Sequence, residues 1–314
     1  MTPTGDHPVD TAAAPVAAPV AGSWDVVWDH GRRGEPALQV HAYNERTFVI
    51  RQSKRTSFEA PFVFLLLGDD RALLLDTGAT ADPELFPLRA TVDRLVGQWL
   101  AAHPRDGYEL VVAHTHGHGD HVAGDGQFAD RPATTVINRE PEAVRESFGF
   151  GDEWPRQTLS FDLGGRVLEL IGSPGHHRAA VTFYDPWTGL LFTGDTVLPG
   201  RLYVEDRAAY LDTMERLVAF AATRPVTHVV GCHVEMTSRR GRDYPIGATY
   251  QPRERALQLT AAHLTEIRDA MLTRGRGVFR HDDFILYNEP RDWQVRRLLA
   301  RGWLDRKLPW RRQA

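Results

Sequence analysis

The chain has 314 residues, of which 42% are hydrophobic and 25% charged, and its formal net charge is −4. This composition is typical of a globular protein, and the mild acidity without a long basic tract argues against a general nucleic-acid binder. The sequence also has no run of about 18 apolar residues, so it predicts no membrane span.

The N-terminal residues 1–22 are rich in Ala, Pro and Val and predict a flexible tail. Prolines interrupt the apolar residues and Asp6 and Asp10 stand early, so the segment does not fit a secretory signal. The single cysteine, Cys232, excludes an intrachain disulfide and fits a reducing compartment. We therefore expect a cytoplasmic protein.

The predicted elements alternate between runs of strands and single helices. Strands are predicted, in chain order, at Ala37–Tyr43, Phe48–Arg51, Phe62–Leu67, Ala72–Leu75, Glu109–Ala113, Thr134–Ile137, Thr158–Phe161, Val167–Ile171, Val181–Tyr184, Leu190–Thr193, Val226–Gly231 and Gly277–Arg280. Helices are predicted at Leu85–Ala102, Pro141–Phe148, Arg207–Thr223, Pro252–Arg274 and Arg291–Arg301. Because βαβ units alone would not give strand-only runs, this order favours two sheets packed on each other with helices outside.

The densest group of chemically active side chains is the segment AHTHGHGDHVAG, residues 113–124. In an extended loop, residues i and i+2 point the same way, so His116 and His118 can converge on one ion. Asp120 and His121 are adjacent and diverge, so they can serve a second ion beside the first. Imidazole and carboxylate together suit zinc or iron better than calcium, which prefers oxygen alone.

Further ligands are needed, because tetrahedral zinc requires more of them than this loop supplies. The ends of three later strands provide candidates in His176, Asp195 and His233, each close to a glycine that allows a sharp backbone turn. Asp76, at the end of another strand, is a further polar contributor. His114 is interpreted as a histidine that packs beside the ligands or supports them.

Taken in order, these motifs resemble those of the metallo-β-lactamase-fold hydrolase superfamily. The matching motifs, across about residues 37–235, are Asp76-x-Gly78, His116-x-His118-x-Asp120-His121, Gly175-His176, Gly194-Asp195 and Gly231-Cys232-His233. The resemblance implies an α/β (α+β) fold, the four-layer αββα sandwich of that superfamily. It divides the chain into the tail, a catalytic domain over residues 23–240, and a C-terminal helical extension over residues 241–314 packed on the same domain.

The resemblance also implies two Zn²⁺ per chain, with iron or manganese as alternatives. Carried over residue by residue, it implies His116, His118 and His176 for the first metal, Asp120, His121 and His233 for the second, and Asp195 as the bridge. Asp76 would orient the ligand loop, as carboxylates behind metal ligands do. Cys232, beside His233, is interpreted as a small buried residue rather than a thiolate ligand.

The activity implied is that of a dinuclear hydrolase, in which a hydroxide between the metals attacks the carbonyl of an ester, thioester or lactone. Asp120 would be the catalytic residue that orients the hydroxide and moves its proton. The aspartate at position 195 resembles the residue that the glyoxalase II and lactonase branches have at this place. The alternatives are an iron-dependent redox enzyme of the same fold, such as a persulfide dioxygenase or flavodiiron protein, and a β-lactam hydrolase.

Substrate contacts are predicted shortly after the bridging aspartate. Arg201 could bind a carboxylate or phosphate, and Tyr203 could hydrogen-bond an oxyanion or leaving group. A surface arginine and a packed tyrosine explain the same residues equally well. Arg51, Lys54 and Arg55 form a basic run for which a solvated loop is the simplest interpretation. We expect a small-molecule substrate, no nucleic acid and no membrane, and leave a homo-oligomer open.

Overall fold

The computed structural model describes residues 18–307. The strands in this range are β1 (Leu38–Asn44), β2 (Thr47–Gln52), β3 (Phe62–Leu67), β4 (Arg71–Leu75), β5 (Glu109–Ala113), β6 (Thr134–Val136), β7 (Thr158–Asp162), β8 (Val167–Gly172), β9 (Val181–Asp185), β10 (Leu190–Gly194), β11 (Arg201–Val204), β12 (His228–Gly231), β13 (Gln258–Leu259), β14 (Gly277–Arg280) and β15 (Ile285–Asn288). The helices are α1 (Leu88–Ala102), α2 (Gly119–Val122), α3 (Pro141–Phe148), α4 (Arg207–Ala222), α5 (Ala261–Thr273) and α6 (Asp292–Lys307).

The strands of the described range form three sheets. The first has the order β1-β2-β3-β4-β5-β6, the second β13-β12-β10-β9-β8-β7, and the third β11-β15-β14. Strands β4, β5 and β6 run parallel to one another, and β10 runs parallel to β12. Because β8 and β10 are both antiparallel to β9, the chain leaves β8, β10 and β12 at the same edge of the second sheet.

The first two sheets pack face to face, with helices on their outer faces. Successive residues of β3 point to opposite sides, as a strand requires. Phe64 faces the second sheet, where its ring lies 4.8 Å from that of Phe192, whereas Val63 and Leu65 belong to the core beneath α1. On the other side, α4 and α5 cover the outer face of the second sheet. The predicted four-layer αββα sandwich is confirmed.

The C-terminal part of the fold differs from the predicted helices. The helix predicted over Pro252–Arg274 begins only at Ala261, because Leu259 is buried in a strand that pairs with Val229 of β12. The strands β11 and β15 were not predicted, since each has four residues and they pair with each other across about 80 residues of chain. Residues 241–307 thus add strands to two sheets, so the description of this segment as a helical extension was incomplete.

The described part of the predicted tail is attached to the fold. The backbone N–H of Val20 donates to the carbonyl of Trp187 at 2.6 Å. Immediately after the predicted tail, that of Ser23 donates to the carbonyl of Tyr43 at 2.8 Å. Residues 1–17, where most of the tail was predicted, lie outside the described residues. Within the described range, no helix combines the length and the apolar character needed to cross a membrane.

A buried ion pair joins the two large sheets at one edge. Arg166 and Asp185 are 1% and 0% exposed, with Nη2 and Oδ2 2.6 Å apart. The Arg166 guanidinium also donates to the carbonyl of Leu67, at the end of β3, and to Thr47 Oγ1, at the start of β2. Because β3 is antiparallel to β4, this edge is opposite to the one where β4 and β5 end.

Candidate metal centre

The polar side chains singled out in the sequence follow strands that end at one edge of the sandwich. They are Asp76 after β4, His116, His118, Asp120 and His121 after β5, His176 after β8, Asp195 after β10 and His233 after β12. Backbone hydrogen bonds join the two sheets at this edge. Val181 donates to the carbonyl of Thr115 at 2.8 Å, and Phe62 donates to that of Cys232 at 2.7 Å.

Two glycines let the chain turn into the site. Gly175 has φ +136°, and a Cβ there would lie 2.4 Å from the Cα of Tyr210. Gly194 has φ +54°, and a Cβ there would lie 2.6 Å from the Cβ of Thr115. Both the conformation and the space therefore require glycine immediately before His176 and Asp195.

Three imidazoles form the first cluster. His118 Nδ1 lies 3.0 Å from His116 Nε2 and 3.2 Å from His176 Nε2. Burial lowers the pKa of His116 well below its usual value, and it also lowers that of His118. The three rings thus turn one nitrogen each toward a common point. Tetrahedral zinc with Zn–N bonds of about 2.0–2.1 Å would hold such nitrogens about 3.3 Å apart, so the cluster fits this ion.

A second cluster contains Asp120, His121, Asp195 and His233, whose ligand atoms all lie within 4.8 Å of one another. His233 Nε2 lies 3.2 Å from Asp120 Oδ2 and 3.3 Å from His121 Nε2. Burial acts to raise the pKa of Asp120, but the hydrogen bond to His233 and the nearby His121 outweigh it and hold the pKa at about 2. This set of one carboxylate and two imidazoles beside a shared aspartate fits a second cation.

Asp195 lies between the two clusters. Its Oδ1 is 3.6 Å from His121 Nε2 and 3.5 Å from His233 Nε2, whereas its Oδ2 is 3.9 Å from His176 Nε2. Oδ1 is buried and has no hydrogen-bond partner among the described residues. A buried carboxylate oxygen without a donor is costly, and a cation at this point would satisfy it.

Groups behind the ligands decide which ring nitrogen faces inward. The Nδ1 of His176 lies 2.9 Å from the carbonyl of Tyr203, and that of His233 lies 3.0 Å from the carbonyl of Glu59. A carbonyl can only accept, so Nδ1 carries a proton in both rings, and Nε2 is the ring nitrogen that faces the cluster. His118 is turned the other way, with its Nε2 3.6 Å from Glu205 Oε1.

Asp76 supports the ligands from both sheets. It is fully buried, and its Oδ1 accepts the backbone N–H of Thr115 at 2.7 Å. Its Oδ2 lies 2.9 Å from Thr115 Oγ1, 3.0 Å from His121 Nδ1 and 3.2 Å from Cys232 Sγ. Thr115 Oγ1 donates to Asp76 and therefore accepts from His116 Nδ1, which lies 3.2 Å away. One carboxylate thus fixes a ring in each cluster.

We expect Asp76→Asn to weaken metal binding by about 10–100-fold, the range for groups behind metal ligands. The amide keeps the volume of the side chain, but its nitrogen takes the place of one carboxylate oxygen. This nitrogen is a donor, and it would face the donors of Thr115 or His121. Competition with a chromogenic chelator measures the effect. Asp125→Asn is the matched control, because Asp125 accepts from His114 (2.8 Å) rather than from a candidate ligand. Equal metal affinity in Asp76→Asn and the wild type would contradict the role of Asp76.

The remaining residues near the clusters have structural contacts. The Nε2 of His114 lies 2.8 Å from Asp125 Oδ1, as expected for a histidine outside the ligand set. Cys232 is fully buried, and its thiol donates to Asp76. The carbonyls of Glu59 and Tyr203 and the carboxylate of Glu205 were not predicted. A backbone carbonyl has no residue signature, so only the fold reveals the first two.

The substrate contact predicted for Arg201 is not supported by its position. Arg201 is 3% exposed, and its guanidinium pairs with Glu235 and Asp243 and donates to the carbonyl of Tyr244. Protein partners therefore occupy this group. Tyr203 contacts His176 through its backbone carbonyl, while its ring packs 5.2 Å from that of Tyr287.

The basic run of Arg51, Lys54 and Arg55 was interpreted as a solvated loop, and this interpretation is wrong for two of its residues. Arg51 makes two 2.6 Å hydrogen bonds to the carboxylate of Glu254 and is buried. Lys54 is buried as well and donates to the carbonyl of Phe58 at 3.2 Å. Its burial lowers the pKa of the amine to about 8. These cations stabilise the loop that follows β2.

An αββα sandwich with a histidine cluster and an adjoining His/Asp cluster at one edge fits a metal-dependent hydrolase. The chain belongs to the metallo-beta-lactamase superfamily, whose family model matches residues 57–233. The resemblance inferred from the sequence motifs is thereby confirmed.

Individual relatives are similar at a moderate level. The chain is 27% identical over 223 residues to the hydroxyacylglutathione hydrolase of Rhizobium meliloti, covering 66% of this chain and 77% of that protein. It is 29% identical over 192 residues to the hydroxyacylglutathione hydrolase of Brucella ovis, covering 60% of this chain and 71% of that protein. Among solved structures, the metallo-beta-lactamase from Pontibacter korlensis is 17% identical, with a TM-score of 0.49 over 76% of this chain and 100% of that chain.

Proposed function

We propose that this metal-dependent hydrolase is dinuclear, binds two Zn²⁺ and cleaves a thioester, with esters and lactones as related substrates. The observation that carries the proposal is the position of Asp195. Its two oxygens face different clusters, and its Oδ1 has no donor among the described residues. Divalent cations held by these residues would lower the pKa of a bound water molecule and polarise a substrate carbonyl. The seven ligands proposed are His116, His118, His176, Asp120, His121, Asp195 and His233.

Asp120 is the residue we assign to proton movement. An aspartate carboxylate is ionised at neutral pH, and Oδ2 of Asp120 is 3.2 Å from His233 Nε2. A carboxylate in this position orients a water molecule through a hydrogen bond and passes its proton to the leaving group. A thiolate leaving group needs little help from an acid, because its conjugate acid has a pKa of about 8.5.

The surroundings of the clusters support a small, polar substrate. A cavity of about 270 Å³ is lined by His177, Arg178 and Glu205, next to His118. A second, of about 540 Å³, is lined by Lys54, Arg55 and Phe58 in the loop after β2. The cations of the second cavity suit a substrate with carboxylates, such as the glutathione thioester named for the relatives, whereas Glu205 and Asp206 offset Arg178 in the first. The cytoplasmic location inferred from the sequence stays a prediction.

The decisive experiment compares purified, zinc-loaded protein on four substrates: a hydroxyacylglutathione, a lactone, a phosphodiester and a chromogenic cephalosporin. We expect two zinc ions per chain by elemental analysis and the highest kcat/KM on the thioester. A colourless protein with this activity excludes the iron-dependent redox alternative. Preference for the cephalosporin would overturn the substrate class, and one metal per chain at saturation would overturn the dinuclear site.

A further inference from the structure

A third cavity lies between the third sheet and α6, away from the candidate ligands. Its volume is about 490 Å³, within the range of small-molecule sites. None of the seven candidate ligands lines it. Its walls come from β14, β15 and one face of α6, together with the loop at residues 242–243.

The charge of this cavity is strongly positive. Four arginines and one aspartate line it, a net charge of +3, and the arginines are Arg242, Arg280, Arg297 and Arg301. The aspartate, Asp243, is nearly fully buried and already accepts from two of them and from Arg201 behind the cavity. Its Oδ1 lies 2.9 Å from Arg280 Nη1 and 2.7 Å from Arg301 Nη1, and its Oδ2 lies 3.2 Å from Arg201 Nε.

Because one carboxylate faces three guanidinium groups, donors remain unused. Arg280 and Arg301 each bind Asp243 through Nη1, which leaves the Nε of both groups without a partner in the described chain. Arg242 and Arg297 make no side-chain hydrogen bond or ion pair with any described residue. Arginine side chains gathered in this way match the oxygens of phosphate or carboxylate.

One wall of the cavity offers a surface for a planar group. Trp293, in the first turn of α6, lines the cavity and is 56% exposed. Val278 and the buried Leu298 add apolar surface beside it. An exposed indole next to free guanidinium groups stacks on a flat ring while the arginines hold its charged part.

We propose that this cavity binds a phosphorylated molecule that carries a planar ring, such as a nucleoside diphosphate. The arginines bind the phosphates and Trp293 stacks on the ring. The site is independent of the metal centre, so the proposal does not rest on the hydrolase substrate.

The proposal is tested by isothermal titration of the zinc-loaded protein with ADP and with inorganic pyrophosphate. We expect one ADP per chain at this site and weaker binding of pyrophosphate, which lacks the ring. Arg297→Gln and Arg242→Gln should each weaken ADP binding by about tenfold, the effect of losing one charged hydrogen bond. Trp293→Ala should remove the difference between ADP and pyrophosphate.

Arg296→Gln is the matched control, because Arg296 is an exposed neighbour on α6 that does not line the cavity. It should bind ADP like the wild type. Loss of affinity in Arg296→Gln equal to that in Arg297→Gln would overturn the proposal, since general surface charge would explain it. Binding that survives Arg297→Gln but is lost in Asp195→Asn would place ADP on the metals and overturn it too, as would no binding at millimolar ADP.

Discussion

Replacing Asp195 by Asn is expected to lower kcat/KM for hydrolysis by about 10²–10³-fold, the range for loss of one group that stabilises transition-state charge, because the variant would hold its cations less well. The amide keeps the size of the side chain but loses its charge, and one of its two positions becomes a donor. An amide nitrogen cannot bind a cation. The variant therefore offers an oxygen either to the cluster of His121 and His233 or to that of His176, but not to both. Elemental analysis should show less than two zinc ions per chain.

The control for this variant is Asp152→Asn, which removes one negative charge at an exposed position. It should have the activity and metal content of the wild type. Two zinc ions per chain and unchanged kcat/KM in Asp195→Asn would contradict a bridging role for this carboxylate. A folded variant with normal circular dichroism and no activity supports that role.

Replacing Asp185 by Ala is expected to lower the free energy of unfolding by about 3–5 kcal/mol. The substitution leaves the guanidinium of Arg166 buried without its anion, and this residue is 1% exposed. Thr188 Oγ1, 2.5 Å from Asp185 Oδ2, also loses its acceptor. Urea denaturation followed by fluorescence measures the difference.

The matched control is Asp282→Ala. Asp282 pairs with Arg240 at 2.8 Å, but both side chains are exposed, so its loss should cost less than about 1 kcal/mol. Arg166→Met combined with Asp185→Leu should recover part of the lost stability, because no buried charge is then left alone. If the free energy of unfolding of Asp185→Ala lies within about 1 kcal/mol of that of the wild type, the ion pair does not stabilise the contact between the sheets. Activity per folded molecule should stay unchanged, because the pair lies at the edge opposite the candidate metal centre.

The sequence predicted best those residues of the candidate site that are close together in the chain. His116 and His118 are separated by one residue after a buried strand, so their convergence follows from backbone geometry. His176, Asp195 and His233 come together only because β8, β10 and β12 end at the same edge of one sheet, and no local pattern contains that information. Their prediction depended on the order of motifs shared with a family.

What the sequence could not predict depends on long-range packing. Arg201 has the same signature whether it faces substrate or lies buried between Glu235 and Asp243. The carbonyl of Glu59 orients His233, but any residue at that position would supply a carbonyl. Strand β13 has two residues, and only its pairing with β12 distinguishes it from the first turn of a helix.

The backbone hydrogen bonds between the sheets at the edge of the metal centre have a consequence for access. Val181 bonded to Thr115, and Phe62 bonded to Cys232, hold the two sheets together directly behind the clusters. The two sheets therefore cannot separate at this edge without breaking these backbone hydrogen bonds. A substrate must therefore reach the candidate metal centre through the loops that follow the strands at this edge. Evolution can alter these loops, and with them the substrates that enter, while the backbone contacts beneath the clusters stay fixed.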